Sequence, residues 1–157
     1  MEKRAWVEVD ISAIKKNIQK IKKYTGKRFM ACIKCNCYGM GMIEIGKSIE
    51  KEVDFFGVAC LEEGVSLREC GIKKPILILG TILPGDVEEA IMNDIAINLC
   101  NYEVLQKISE VVKRREKIAK VHIKVDTGMG RVGIRPSQTK EFIERVLKIK
   151  GLSLIHI

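Results

Sequence analysis

Lys34 lies in the run Lys34-Cys35-Asn36-Cys37-Tyr38-Gly39-Met40-Gly41, directly after the apolar stretch Phe29 to Ile33. An amine that attacks a carbonyl needs a fixed position and a neutral form, and a strand end among apolar neighbours favours both. The glycines let backbone approach a ligand closely, and the helix beyond them offers its N-terminus to an anion such as a phosphate. That layout suits a Schiff base with pyridoxal phosphate. Alone, a lysine at a strand end is an ordinary solvated ammonium. A second segment adds to it. Val121 to Val125 reads as a strand and runs into Lys124-Val125-Asp126-Thr127-Gly128-Met129-Gly130-Arg131-Val132-Gly133. The planar fork of Arg131 can clamp a carboxylate through two parallel hydrogen bonds, and the loop amides supply further donors.

Both segments need elements that hold them at strand ends, and the hydrophobic periodicity supplies these. A strand at 6–9 is followed by an amphipathic helix at 12–24, capped by Asp10 or Ser12. Strands at 29–33, 54–59, 75–80, 95–99 and 119–125 then alternate with helices at 42–51, 61–70, 85–93, 101–116 and 136–149. The strands are short continuous apolar runs such as Ile76-Leu77-Ile78-Leu79, the pattern of strands buried on both faces of a parallel sheet. A doubly wound sheet would carry a three-glycine turn after its first strand, and Gly39-Met40-Gly41 lacks the third glycine. A (β/α)8 TIM-type barrel gathers its functional residues from several strand ends on one face, where Lys34 and Arg131 both fall. A complete barrel takes about 250 residues. The 157 residues here supply about five of eight βα units and the start of a sixth strand, so the barrel is expected to be incomplete.

Composition narrows the function classes. With 46% hydrophobic and 31% charged residues, the chain has an ordinary globular composition. It contains no apolar run near the ~20 residues that span a bilayer and no signal-peptide core, so the cytoplasm is the expected location and no membrane partner is expected. The net charge of +8 comes from short lysine groups on the outer faces of amphipathic helices, and only 5% of residues are aromatic. Stacking platforms for bases are scarce, which argues against nucleic acid. Of the six cysteines, Cys32, Cys35 and Cys37 cluster without a second Cys-x-x-Cys or a nearby histidine. No metal is expected there, and reduced thiols are the better reading.

Taken together, the two segments resemble the alanine racemase family. Its first pattern, lysine, small, Asn or Asp, small, Tyr-Gly-His-Gly, is matched by Lys34 to Gly41 except at Met40. Its second, Lys-x-Asp-Thr-Gly-Met-x-Arg-x-Gly, is present in full at 124–133. Arg4 to Asp10 with Ala13 and Asn17, Val58 to Gly64, Leu67 to Ile72, and Pro75 to Gly80 are similar to other family segments in the same order. Cys35 and Cys37 stand where alanine is usual.

The resemblance implies pyridoxal 5'-phosphate as cofactor and racemisation of L-alanine to D-alanine, which supplies D-alanine for peptidoglycan. It makes Lys34 the catalytic, cofactor-binding lysine. Tyr38 would reach the cofactor phosphate. Arg131 would bind both substrate carboxylate and cofactor oxygen, and the Met129 amide would help hold the carboxylate. Lys124 matches a lysine that is often carbamylated. A mostly β C-terminal domain, expected to be missing here, would carry a tyrosine from the partner of a homodimer as second base. Residues 1–157 alone are therefore expected to be inactive. Met40 leaves open a racemase of serine or another small amino acid. A non-catalytic pyridoxal-phosphate homeostasis protein shares the barrel but lacks the 124–133 pattern.

Residues 1–151 are expected to form the partial cofactor-binding domain, and 152–157 a non-native tail. Leu152-Ser153-Leu154-Ile155-His156-Ile157 can be read as the codons CTG TCT CTT ATA CAC ATC, which coincide with the end of a transposon adapter used in DNA library preparation. The rival reading is a buried sixth strand. His156 is assigned no role.

Overall fold

The computed structural model describes residues 5–156 as one parallel sheet with its strands in sequence order, β1-β2-β3-β4-β5-β6. The strands are β1 (Met30–Cys32), β2 (Phe55–Val58), β3 (Ile76–Ile78), β4 (Ile95–Leu99), β5 (Ala119–Ile123) and β6 (Leu152–His156). Between them run α2 (Lys34–Tyr38) and α3 (Met42–Ile49), α4 (Leu61–Glu69), α5 (Val87–Met92), α6 (Tyr102–Arg115) and α7 (Pro136–Leu147). Helix α1 (Ile11–Thr25) precedes the sheet, and a 3-10 turn at Pro84–Asp86 leads into α5. Every strand pair is parallel, and each crossover contains a helix. Such an unbroken order of neighbours is that of a barrel wall, with no switch point of a doubly wound sheet.

Helices cover one face of the wall. Ala31, Ile33, Phe56, Val58, Ile76, Ile78, Ile97, Leu99, Val121 and Ile123 are all buried against Ile45, Ile49, Leu67, Ile108, Phe142 and Val146. Alternate residues point the other way, into the hollow of the barrel. There the wall is partly open: Met30 is 39% exposed and Cys32 is also exposed. Burial on both faces, expected from the sequence, therefore holds for β3 and β4 and fails at β1, an edge strand.

Element ends follow local chemistry. Asp10, not Ser12, caps α1, its carboxylate accepting from the Ser12 and Ala13 amides at 2.8 and 3.1 Å. Gly26 closes the same helix in the left-handed region. Asn101 caps α6 through the Val104 amide at 2.8 Å, and Pro136 opens α7. The strand expected at 6–9 is not formed. Strand pairing requires a neighbour's amides and carbonyls, and none of the described strands lies beside this segment, where Trp6 and Val7 stand exposed. Residues 152–156 pair with β5 from Ala119↔Leu152 onward, with a register irregularity at Val121/His122. A largely apolar segment beside an open strand edge pairs with it whatever its origin.

One side chain ties the wall to its helices. The guanidinium of Arg68, near the end of α4, donates to the carbonyls of Asn93, Ile72, Lys74 and Asp94 at 2.8–3.0 Å. Desolvation lowers its pKa, with Asp94 and Glu50 opposing. A planar fork with five donors suits four carbonyls arriving from three directions; an ammonium does not. Arg68→Ala in the full-length protein is expected to lower stability by on the order of 1–3 kcal/mol, the cost of leaving such groups unpaired. Arg68→Lys should recover only part of it. Urea denaturation checks both, and a wild-type midpoint for Arg68→Ala would remove the argument.

Candidate active site

The site is built where the ladder between β1 and β2 ends. Ile33 still donates to the Gly57 carbonyl at 2.9 Å, and then the chain leaves the sheet. Residues Cys35 to Tyr38 follow with φ of 52–56°, a complete turn of left-handed helix made without glycine. Such a conformation costs roughly 1–2 kcal/mol per residue, so something must hold it. The Cys37 amide donates back to the Ile33 carbonyl at 2.8 Å, and the Gly39 and Gly41 amides to the Asn36 carbonyl at 3.1 and 3.0 Å. The Asn36 side chain accepts from the Met42 amide at 2.8 Å, the first of α3. Asn36 thus staples the turn to the next helix with its backbone and its side chain together. The Cys35 amide is held at 2.6 Å by Glu63 of α4.

The second loop is knotted by its own acid. Asp126 accepts from the Gly128 and Gly130 amides, each at 3.0 Å. The loop closes on itself through Asp126 N–H to the Ile134 carbonyl at 2.9 Å and Ile134 N–H to the Lys124 carbonyl at 2.8 Å. Gly133 makes that crossing possible. A Cβ there would lie 2.5 Å from the Asp126 nitrogen, and its φ is +143°. The amides of Gly130 and then Gly128 hold the Asp126 carboxyl below the usual aspartate range.

A cleft of about 810 Å³ opens between these loops at the C-terminal ends of the strands. Lys34, Lys124 and Arg131 line it together with Leu77, Leu79, Asn98, His122 and Thr127. Three cationic side chains therefore share an otherwise largely apolar hollow, and no carboxylate of the described residues lines it. Tyr38 and Met129 are not part of the lining; they stand 62% and 79% exposed beside it. Met40 is likewise exposed. Cys100, near Lys124, keeps its thiol form because burial pushes its pKa up.

Gly80 closes the apolar side. Its amide reaches the Ala59 carbonyl at 3.2 Å, and a Cβ would lie 2.4 Å from that oxygen. Asn98 secures the same corner, donating to the Leu79 and Gly80 carbonyls at 2.8 and 3.3 Å while almost fully buried. Sequence reasoning passed over Asn98, His122 and Glu63. The signal for the first was a lone amide inside Ile95-Ala96-Ile97-Asn98-Leu99. That for His122 was its even spacing from Lys124, which puts both on one strand face. Nothing in the sequence pairs Glu63 with Cys35.

An unbroken parallel wall covered by helices, with Lys34, Lys124 and Arg131 lining a cleft at its C-terminal end, defines an α/β-barrel domain. The sequence profile described as "Alanine racemase, N-terminal domain" matches residues 9–157, and the chain belongs to that family. It is 41% identical over 135 residues to the alanine racemase of Symbiobacterium thermophilum, covering 85% of this chain and 36% of that protein. The solved alanine racemase of Clostridium difficile 630 in complex with cycloserine superposes with a TM-score of 0.85 at 34% identity, covering 94% of this chain and 41% of that one. The histidine racemase of Leuconostoc mesenteroides subsp. sake superposes with a TM-score of 0.83 at 26% identity, covering 90% and 39%. The chain thus spans about two fifths of the length of these relatives.

The Asp126 knot gives a direct test. A depressed folded-state value means its contribution is intact above the ordinary aspartate value of 3.8 and is lost as pH falls through the lowered one. Asp126→Ala in the full-length protein should therefore speed amide exchange at Gly128 and Gly130 near neutral pH. Unchanged protection would show that the loop holds without it.

Proposed function

We propose that this chain is the lysine-bearing part of a pyridoxal-phosphate-dependent amino-acid racemase that interconverts L- and D-alanine. The observation that carries the reading is the cleft itself, where Lys34, Lys124 and Arg131 converge without a carboxylate. A cofactor with a phosphate and a substrate with a carboxylate bring the anions that this set lacks. The hollow, about 810 Å³, is within the usual size of a cofactor site, and its cationic side chains suit a phosphate and a carboxylate. The residues present therefore fit the cofactor.

Pyridoxal phosphate, when bound, supplies an electron sink for negative charge developing at the substrate Cα. The protein supplies position and protons. Lys34 Nζ would hold the cofactor and, once substrate has displaced it, take or return the Cα proton on one face. Arg131 would fix the substrate carboxylate through its two-pronged fork, and the Met129 amide would add a donor. Tyr38 would bond the cofactor phosphate. Carbamylated Lys124 would be anionic and would orient the Arg131 guanidinium. Leu77 and Leu79 line the cleft and would present apolar surface to the bound substrate. Proton return on the opposite face requires a second base, which we assign to a tyrosine of the partner subunit in a homodimer. The product would be D-alanine for peptidoglycan, made in the cytoplasm. No helix among the described residues is long and apolar enough to cross a membrane.

A second reading keeps the fold and changes the substrate to serine or another small amino acid. It rests on Met40, which stands where the family pattern has histidine. The similar fold of a histidine racemase illustrates that range of substrates. Racemisation rates of the full-length protein on L-alanine and L-serine separate the two.

Borohydride reduction of the full-length protein loaded with pyridoxal phosphate is expected to fix pyridoxyl phosphate on the peptide containing Lys34. Label on Lys27 or Lys47 instead would refute the assignment. Arg131→Ala should keep the cofactor yet lower kcat/KM about tenfold to a hundredfold, since a hydrogen bond to a charged group contributes about 1.5–3 kcal/mol. Unchanged kinetics would rule out the carboxylate clamp.

A further inference from the structure

The fork between β1 and β2 holds a side chain that the proposed chemistry does not use. Continuing the parallel register beyond Cys32↔Gly57 would send the Ala59 amide to the Ile33 carbonyl and the Cys35 amide to the Ala59 carbonyl. Neither bond forms. The Ile33 carbonyl takes the Cys37 amide at 2.8 Å, and the Ala59 carbonyl takes the Gly80 amide at 3.2 Å. The two amides left over both go to Glu63: Cys35 N–H to Oε1 at 2.6 Å and Ala59 N–H to Oε2 at 2.7 Å. One carboxylate sits in the split of the ladder, on the residue that follows Lys34.

From this geometry we infer that Glu63 is a positioning residue for Lys34, acting through the Lys34–Cys35 peptide; the inference rests on the racemase reading above. A carboxylate is the side chain suited to the task, because it is acceptor-only and can serve two donors with separate oxygens. Its negative charge makes both bonds charge-assisted. Glu63 also stands in the first turn of α4, where the helix dipole favours an anion. Arg68 anchors the far end of the same helix to four carbonyls. The helix thereby acts as a fixed arm. It sets where the left-handed turn begins and so where the Lys34 side chain leaves the backbone, and an amine that is to react must be held within a narrow geometry.

Glu63→Gln keeps the size but turns one oxygen into a carboxamide NH2, a donor that faces an amide donor. A matched control exists elsewhere in the chain. Glu50 accepts from the Lys73 and Lys74 amides at 2.6 and 3.1 Å, and neither lysine lines the cleft. The experiment uses the full-length apoprotein with pyridoxal phosphate as probe. It reads the rate at which borohydride-fixable label appears on the Lys34 peptide, together with Tm. Glu63→Gln is expected to slow labelling of Lys34 at least about tenfold. Both amides at Glu50 share one oxygen, which a glutamine would keep, so the control there is Glu50→Ala; it should lower Tm at least as much and label at the wild-type rate. Glu63→Asp, one methylene too short to span both amides, keeps the charge and should label at an intermediate rate; it serves if Glu63→Gln does not fold. Wild-type labelling in the Glu63 variants, or equal slowing in Glu50→Ala, would overturn the inference alone. Absence of label from Lys34 in the wild-type protein would overturn the racemase reading and this one with it.

Discussion

The parallel ladder and the level at which it stops determine everything that happens at the mouth of this barrel wall. Parallel strands carry slanted, evenly spaced bonds and cannot turn back on one another, so each must leave the sheet through a loop on the same side. The last bonds are Ile33 to Gly57, Leu79 to Val58, Gly80 to Ala59 and Lys124 to Leu99. They lie at one end of the wall. Because helices bury the whole outer face, polar side chains are confined to the hollow and to those ends. Asn98 is the one polar side chain buried within the described wall, and it serves the carbonyls of a strand end. The cleft is what remains once the ladder has run out.

Leaving the ladder at Lys34 takes an uncommon route. Four consecutive residues in the left-handed region are unfavourable for L-amino acids, and an asparagine at the second position is the residue that tolerates it best. The turn is held by a dense set of hydrogen bonds. Its carbonyls and amides bond within the segment, and its first amide and its asparagine side chain bond outward to α4 and α3. The conformation is therefore held from two flanking helices, and Lys34, the residue just before it, inherits their rigidity.

The same physics explains how far sequence reasoning reached. Alternating apolar runs and amphipathic helices are local signals, and they located all of β1 to β5 and helices α3 to α6 to within a few residues. The placing of Lys34 and Arg131 after strands was legible for the same reason. The left-handed turn was not, because Cys35-Asn36-Cys37-Tyr38 contains no glycine and only Asn36 among the four favours φ above zero. Glu63 was invisible because its two partners belong to β2 and to the segment after β1, the latter 28 residues away. Only the closed fold brings them together. The strand expected at 6–9 shows the converse: β-propensity without a neighbour makes no strand.

Electrostatics completes the logic of the cleft. Asp126 is the acid nearest in sequence to Lys124 and Arg131, and a free aspartate there would neutralise the cations that an anionic ligand needs. Its carboxylate is instead taken up by the amides of Gly130 and Gly128, and attraction to Lys124 is the weakest of the influences on it. The glycines at 128 and 130 adopt positive φ and so can turn their amides inward. The Asp-Thr-Gly-Met-Gly sequence thus does two things at once. It shapes a loop that carries Arg131 to the cleft, and it turns the local negative charge toward the backbone, leaving Lys34 and Arg131 to meet a ligand that brings its own anions.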